Sequence, residues 1–338
     1  MQLKGDLNMQ LKNETVNNTI VKKNMLKDNK EVIQKMAAGL SLLVMCIFFS
    51  IATPFFLAFD NLITIALQTS VIGIMAIGVT FVIVTSGIDL SLGAIIALCG
   101  VSAGLFVNAG FGLALSVILA LLIGALFGAL NGFLIGKLNL PPFISTLGAM
   151  MLARGLTLVL TDAKPVYFDA APQFATISQG KLFGAIPYPV IYLIVIAIVS
   201  SFILKKTLIG RYTYAIGSNE EAARLSGIKI FRTKMFVYMY CGLLCAIAGI
   251  VMAARINSGQ PTAGTGYELD AIAAVVIGGT SLSGGEGTIM GTFIGAFIMG
   301  VLKNGLNLMN VSQNWQMLAM GLVVIGAVYM DQLRKKSK

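Results

Sequence analysis

The chain has 338 residues, of which 57% are hydrophobic and only 11% are charged, and its mean hydropathy is +0.87. Soluble globular domains carry about 25% charged residues, so this composition excludes a soluble protein of the usual kind. The net charge of +10 lies in a few segments between apolar runs. Such a distribution is typical of membrane topology, and we expect the lipid bilayer as a partner and no nucleic acid.

Residues 1–35 are polar, rich in Lys and Asn, and followed by an apolar run without a small-residue cleavage site. We therefore predict an N-terminal cytoplasmic tail rather than a secretory signal peptide. A membrane-spanning helix needs about 20 apolar residues. The apolar runs give ten candidate spans, at 37–58, 62–85, 90–108, 112–136, 141–161, 187–205, 235–254, 268–283, 287–304 and 314–331.

The basic residues support this segmentation. With an inside N-terminus and ten spans, and with Lys205 at the membrane edge counted as inside, the inside segments hold 19 of the 24 Lys and Arg, including those of the long loop 206–234 and the C-terminal tail 333–338. A bias of this size follows the positive-inside rule. The prediction is therefore an all-α polytopic protein of the bacterial plasma (inner) membrane, with a transmembrane domain at 36–332 and both termini in the cytoplasm.

The four cysteines, Cys46, Cys99, Cys241 and Cys245, all lie in apolar runs. Cys241 and Cys245 have the spacing of a metal pair on one helix face. The chain has no histidine, however, and no acidic residue lies near this pair in sequence. We interpret all four cysteines as small packing residues and predict no metal site.

The sequence also lacks the common phosphate-loop motif for nucleotide binding. No G-x-x-x-x-G-K-[ST] phosphate loop is present, and that motif is what holds the phosphates in many ATPases. We therefore expect no cofactor bound by this chain and no catalytic residues. Any pumping must take its energy from another subunit or from an ion gradient.

The loop 206–234 predicts a short helix on the inside, at 218–227. Ser218 or Asn219 can cap it, and Glu220 and Glu221 lie in its first turn, where the helix dipole favours anions. Gly227 is a natural residue just beyond its C-terminus. A short helix outside the bilayer offers another protein a surface to push, and the alternative is a simple connector beside the lipid headgroups.

Glu221 also begins an E-A-A-x-x-x-G sequence, the signature of bacterial ABC-importer permeases. Three blocks, TSGIDLSLG at 85–93, GRYTYAIGSNEEAARLSGI at 210–228 and QPTAGTGYELDAIAAVVIGGTSLSGGEGTIMGT at 260–292, resemble the monosaccharide ABC-importer permeases, particularly those for ribose. The resemblance runs from about residue 40 to the C-terminus. It implies three protein partners: a cytoplasmic ABC ATPase that carries ATP and Mg, an extracytoplasmic sugar-binding protein, and a second permease copy.

The resemblance also implies that the predicted short helix couples this chain to the ATPase. The residues expected in that contact are Ser218, Asn219, Glu220, Glu221, Ala222, Ala223, Arg224 and Gly227.

Four carboxylates, Asp89, Glu268, Asp270 and Glu286, lie in or beside apolar segments. Intramembrane carboxylates are costly and are candidates for function. These four either cap helix ends or form a proton or sodium site. A neutral sugar pathway would use hydroxyls and amides instead. The combined gating or pathway candidates are Ser86, Asp89, Gln260, Pro261, Glu268, Asp270, Asn304 and Asn307.

Two of these carboxylates, Asp89 and Glu268, lie in the two copies of a weak internal repeat. The sequence GIDL at 87–90 and the sequence GYEL at 266–269 each precede an apolar run rich in small residues. Paired interrupted helices in the two halves of a chain are a known pattern in transporters.

The sequence thus predicts the permease subunit of an ATP-driven importer for ribose or a closely related monosaccharide. The alternatives are a permease for another small solute, such as another pentose, a hexose or a signalling sugar; an ion-coupled secondary transporter; and a passive channel.

Overall fold

The computed structural model describes residues 38–336, and the predicted tail 1–35 lies outside the described residues. The helices are α1 Ala38–Ala52, α2 Phe59–Val84, α3 Leu92–Asn108, α4 Leu113–Gly136, α5 Pro142–Thr161, α6 Thr176–Gln179, α7 Tyr188–Lys206, α8 Leu208–Ser218, α9 Glu220–Leu225, α10 Ile230–Ile256, α11 Tyr267–Ile277, α12 Ile289–Leu308 and α13 Gln313–Lys336. Four two-residue strands complete the fold: β1 Val166–Tyr167, β2 Lys181–Leu182, β3 Ile186–Pro187 and β4 Ser258–Gly259.

Within residues 38–336, seven helices are long and apolar enough to cross a membrane. This confirms the all-α polytopic class, although the count of ten spans is not reached. The span predicted at 268–283 is wrong, because α11 has only 11 residues and is about 16 Å long, half of a hydrocarbon core about 30 Å thick. It ends where Gly279, Gly284 and Gly285 adopt positive φ angles.

Helices α2 and α10 form the centre of the bundle. The apolar part of α2 is 89% buried, whereas that of α4 or α7 is only 22% buried. Small residues set the close packing at the centre: a Cβ on Gly78 would lie 3.2 Å from the Cα of Cys241, and one on Gly128 would lie 2.8 Å from the Cα of Met239. Close backbone approach of this kind stabilises helix pairs in membranes, and Cys241 belongs to that packing.

Residues 162–187 form a small layer over the end of the bundle that the charge pattern predicts to be outside. β1 pairs antiparallel with β4, and β2 pairs with β3. The Phe168 and Phe174 rings stack with centroids 3.9 Å apart, and Asn108 Nδ2 donates to the carbonyl of Tyr167 (2.8 Å). These contacts fasten the layer to α3 and to the end of α10.

Two features at the opposite end were not predicted. The loop 206–234 contains a second helix, α8, which begins after Thr207, whose Oγ1 accepts a hydrogen bond from the Gly210 N–H (3.3 Å). The last helix, α13, continues to Lys336, so residues 333–336 of the predicted C-terminal tail are helical.

Candidate functional site

The short helix predicted at 218–227 from its capping and first-turn residues is present as α9. Asn219 is its N-cap, and Asn219 Oδ1 accepts a hydrogen bond from the Ala222 N–H (2.9 Å). Ser218 is the last residue of α8, so the alternative cap at Ser218 is wrong. Gly227 follows the helix with a φ of +82°, a conformation that glycine adopts at little cost.

The side chains of α9 divide into an anchored face and a free face. Ala223 is buried, and Glu220 accepts a hydrogen bond from Lys234 Nζ of α10 (2.8 Å), with the Lys234 side chain only 12% exposed. On the other face, the side chain of Glu221 is 67% exposed and pairs with Arg224 (3.2 Å), while Leu225 is 81% exposed. Helix α9 is therefore attached to the bundle by one face and exposes acidic, basic and apolar groups on the other.

The end of α8 meets α2 and the connection between α11 and α12 at one point, the α2–α8 junction (Val84, Ser86, Gly217, Ser283 and Gly285). A Cβ on Gly217 would collide with the Val84 carbonyl oxygen and lie 2.6 Å from the Gly285 nitrogen. The Gly285 N–H donates to that same carbonyl (2.9 Å). The Gly217 backbone therefore packs directly on the backbone of Val84 and Gly285.

Ser86 completes the α2–α8 junction. Its Oγ lies 3.1 Å from the Gly217 carbonyl oxygen and 2.7 Å from the Ser283 carbonyl oxygen. Its φ of +61° lies in the left-handed region, which is uncommon for residues other than glycine. The sequence selected Ser86 as a pathway residue, but in the structure it connects three segments of backbone.

The chain between α2 and α3, residues 85–91, is not helical, and we call it the first break. Asp89 is only 1% exposed. Its Oδ1 accepts hydrogen bonds from the Ser91 N–H (2.8 Å) and the Ser91 hydroxyl (2.5 Å), and Asn131 Nδ2 of α4 donates to that hydroxyl (3.0 Å). The N-cap of α3 is Ser91, so Asp89 holds the cap residue rather than being the cap itself.

The chain before α11, residues 260–266, is also irregular, and we call it the second break. Arg154 Nη1 of α5 donates to the carbonyls of Pro261 (2.6 Å) and Ala263 (3.0 Å). Glu268 Oε1 accepts a hydrogen bond from the N–H of Gly266, the N-cap residue. Glu268 thus has the local structural role that was one of its two predicted roles.

The second break lies against the first turn of α3, the helix that follows the first break, and we call this contact the meeting point of the two breaks. A Cβ on Gly93, in the first turn of α3, would collide with the Gly264 carbonyl oxygen and lie 2.5 Å from Glu268 Oε2. The N-terminal ends of α3 and α11 therefore lie side by side. The two copies of the weak sequence repeat, at 87–90 and 266–269, lead into these two ends, an arrangement typical of discontinuous transporter helices.

The remaining pathway candidates make other contacts. Asp270 does not cap α11 but pairs with Lys303 of α12 (3.6 Å), and Lys303 also lies 5.0 Å from the centroid of the Tyr267 ring. The other three form local amide contacts: Asn304 with Asn61 through two hydrogen bonds (2.8 and 3.1 Å), Asn307 with Gln316 (2.7 Å), and Gln260 with Ser258 (2.9 Å).

Sequence reasoning did not predict the structural roles of several residues that organise these features. Arg154 was visible as a cation in the interior of a predicted span, but its carbonyl partners are more than 100 residues away in sequence. Asn131 and Tyr238 are buried beside the first break, and Asn131 Oδ1 and Tyr238 Oη have no hydrogen-bond partner among the described residues. Neither residue has a sequence signal that separates it from ordinary polar residues in membrane helices.

Comparisons with known proteins agree with the resemblance seen in the motifs. The family model described as branched-chain amino acid transport system / permease component matches residues 61–328. No solved structure matches the chain.

Individual relatives cover nearly the full chain. The ribose import permease protein of Haemophilus influenzae is 44% identical over 295 residues, which are 86% of this chain and 91% of the relative. That of Bacillus subtilis is 47% identical over 307 residues (90% and 94%). The L-arabinose transport system permease protein of Escherichia coli K12 is 39% identical over 289 residues (86% and 88%). The chain therefore belongs to the family of branched-chain amino acid transport system permease components, and it is a membrane transport subunit.

Proposed function

We propose that the chain is the permease subunit of an ABC importer that moves ribose or a closely related monosaccharide across the plasma membrane. The observation that carries the proposal is the similarity to ribose import permeases over about nine-tenths of both chains. Identity to these relatives, 44% and 47%, is higher than the 39% identity to the L-arabinose permease. This difference favours ribose over another pentose.

Three partners belong to this proposal. A cytoplasmic ATPase binds at α9 and carries the ATP and Mg, so this chain holds no cofactor of its own. An extracytoplasmic sugar-binding protein delivers the sugar to the opposite end, where Arg255 and residues 260–266 offer a docking surface. A second copy of the permease completes the pathway as a homodimer.

The described contacts suggest how ATPase movement reaches the bundle. A displacement of α9 acts on α10 through the Glu220–Lys234 ion pair. The same displacement acts on α2 and on the α11–α12 connection through the backbone contacts of Gly217. Because α11 begins at the second break, its movement changes the place where the two breaks meet. The importer then alternates between two states, and ATP shifts their populations through its different affinity for each.

Transport in reconstituted vesicles tests the proposal. Proteoliposomes containing the permease and its ATPase, supplied with the binding protein and labelled ribose, should accumulate ribose only when ATP is present. Uptake by the chain alone that collapses with ionophores would instead indicate a secondary transporter. Equilibration without accumulation would indicate a channel, and ATP-driven uptake of a different sugar would correct the substrate.

The coupling role of α9 has its own test. Glu221→Lys reverses the charge on the free face, so we expect about a tenfold loss of ATPase co-purification and transport, because an interfacial charge reversal costs on the order of 1–3 kcal/mol. The thermal midpoint of the permease should stay unchanged, because Glu221 is exposed. Lys164→Glu, a charge reversal at the opposite end, is the control. Normal ATPase binding and transport by Glu221→Lys would remove α9 from the coupling role.

A further inference from the structure

A groove on the outer surface of the bundle, between α7 and α12, has no part in the features described above. Its volume is about 420 Å³. One wall is a single face of α7 that includes Ile194, Ile198 and Phe202, and the other wall includes Met290 and Phe293 of α12. Residues three or four apart share a helix face, so the α7 wall is a continuous apolar stripe. Ile194, Ile198, Phe202 and Met290 are all more than two-fifths exposed, as lipid-facing side chains are.

The groove ends at two lysines. Lys205 and Lys206 belong to the last turn of α7, and both line the groove. Among residues 38–336, neither lysine takes part in an ion pair. The charge pattern of the sequence predicts that α7 enters the cytoplasm at this end. Paired cations at the cytoplasmic mouth of a cleft between membrane helices attract anionic lipid headgroups.

The length of the groove fits one lipid leaflet. From Ile194 to Lys205 the α7 wall rises about 16 Å, at 1.5 Å per residue. That is about half of a hydrocarbon core about 30 Å thick. An acyl chain lying along this wall would therefore begin at the lysines and end near the middle of the bilayer.

We propose that the α7–α12 groove binds an anionic phospholipid from the leaflet in which α7 ends. The phosphate lies at Lys205 and Lys206, and one acyl chain lies against Ile194, Ile198 and Phe202. This site is independent of the sugar pathway and of the contact with the ATPase.

A second groove in the same bundle provides an internal comparison. It lies between α3, α4 and α5, has a volume of about 290 Å³, and is lined by residues such as Leu98, Leu126 and Leu156. None of its lining residues is charged. It can therefore accept an acyl chain but has no charged side chain that would select a lipid headgroup.

Native mass spectrometry of the full chain tests the proposal. Delipidated protein is titrated with phosphatidylglycerol or phosphatidylcholine carrying the same acyl chains. The wild type should retain phosphatidylglycerol in preference to phosphatidylcholine by about 25-fold, since each of the two cations contributes on the order of a fivefold change in binding near a lipid surface. Lys205→Gln/Lys206→Gln should reduce that preference to less than about twofold.

Matched variants separate the site from general charge and general lipid binding. Lys137→Gln/Lys229→Gln removes the same charge from exposed positions that line neither groove, and it should keep the preference. Ala197→Phe fills the α7–α12 groove and should lower retention of phosphatidylglycerol, whereas Leu126→Phe in the second groove should not. The proposal is overturned if the wild type retains both lipids equally, or if Lys205→Gln/Lys206→Gln behaves like the wild type.

Two further measurements test for other occupants of the groove, a free phosphate ion and a second permease copy. Competition by inorganic phosphate that abolishes retention of phosphatidylglycerol would show an ion site without an acyl-chain site. Disulfide crosslinking of two Phe202→Cys chains in vesicles, with Cys46 replaced by serine, would place a second permease copy over the groove. Either result would overturn the lipid assignment.

Discussion

The two breaks lead into neighbouring helix ends, but they are held in different ways. The first break is closed by a buried network in which Asp89 holds the cap residue of α3 and a side chain of α4 supports it. The second break is held mainly by one half-buried side chain, Arg154, which reaches two backbone carbonyls from α5. Thr262 and Thr265 of the second break are exposed, whereas Asp89 and Ser91 of the first are buried.

This difference assigns different tasks to two segments that begin with similar sequences. A buried carboxylate that accepts two hydrogen bonds is costly to disturb, so the first break is suited to be a fixed point of the bundle. A partly exposed loop whose long-range side-chain hydrogen bonds come mainly from one residue can open at lower cost. We therefore interpret the second break as the movable member of the pair.

The largest loss of stability should come from a substitution at the meeting point of the two breaks, where Gly93 lies against Gly264. Gly93→Val places a side chain against the Gly264 carbonyl and Glu268, and backbone cannot move aside as a flexible side chain can. We expect a destabilisation of about 3 kcal/mol or more, as for severe overpacking, seen as loss of monodisperse protein in size-exclusion chromatography. Gly148→Val is the control, because a Cβ on Gly148 meets nothing within 4 Å. Equal behaviour of the two variants would contradict the close contact between the breaks.

A smaller effect should follow from changing the first break. Asp89→Ala removes the acceptor of two hydrogen bonds and should lower stability by about 2–3 kcal/mol, measured as a fall in the thermal midpoint. Asp89→Asn keeps an Oδ1 acceptor, so it should retain most of the stability and most of the transport. If Asp89→Asn folds normally but abolishes transport, the charge itself is needed, and the predicted alternative of a proton or sodium site gains support.

The sequence was sufficient for features that depend on local patterns. Nine of the ten predicted spans each contain one long continuous helix, although the helix in 37–58 ends at Ala52. The cap and first-turn residues located α9 to within two residues of its observed ends. The exception, α11, shows the limit of hydropathy: residues 278–283 are apolar or small enough to extend a span, but Gly279 adopts a positive φ and the helix has already ended.

Contacts between residues far apart in the chain could not be predicted from the sequence. Ser86 was selected because hydroxyls suit a sugar, yet its partners are carbonyls at Gly217 and Ser283, brought together only by the fold. Asp270 looked like a cap because it lies in a first turn, but Lys303 lies within 4 Å of it in space and 33 positions away in sequence. A single amino-acid sequence carries no signal for such long-range pairings. Helix caps and membrane spans, in contrast, are determined by residues that are close together in sequence.

The smallest effect on stability, and the sharpest test of the comparison, should come from Arg154→Met. Loss of the guanidinium group leaves the Pro261 and Ala263 carbonyls without this donor. Because the Arg154 side chain is half-buried, we expect the free energy of unfolding to fall by about 1–2 kcal/mol. The comparison predicts where that cost appears: hydrogen–deuterium exchange should rise in peptides covering 260–266 and stay unchanged in peptides covering 85–91. Lys164→Met, which removes an exposed cation at the same end of the bundle, should change neither. If exchange rises equally in both segments, the two breaks move as one unit, and the second cannot open while the first stays fixed.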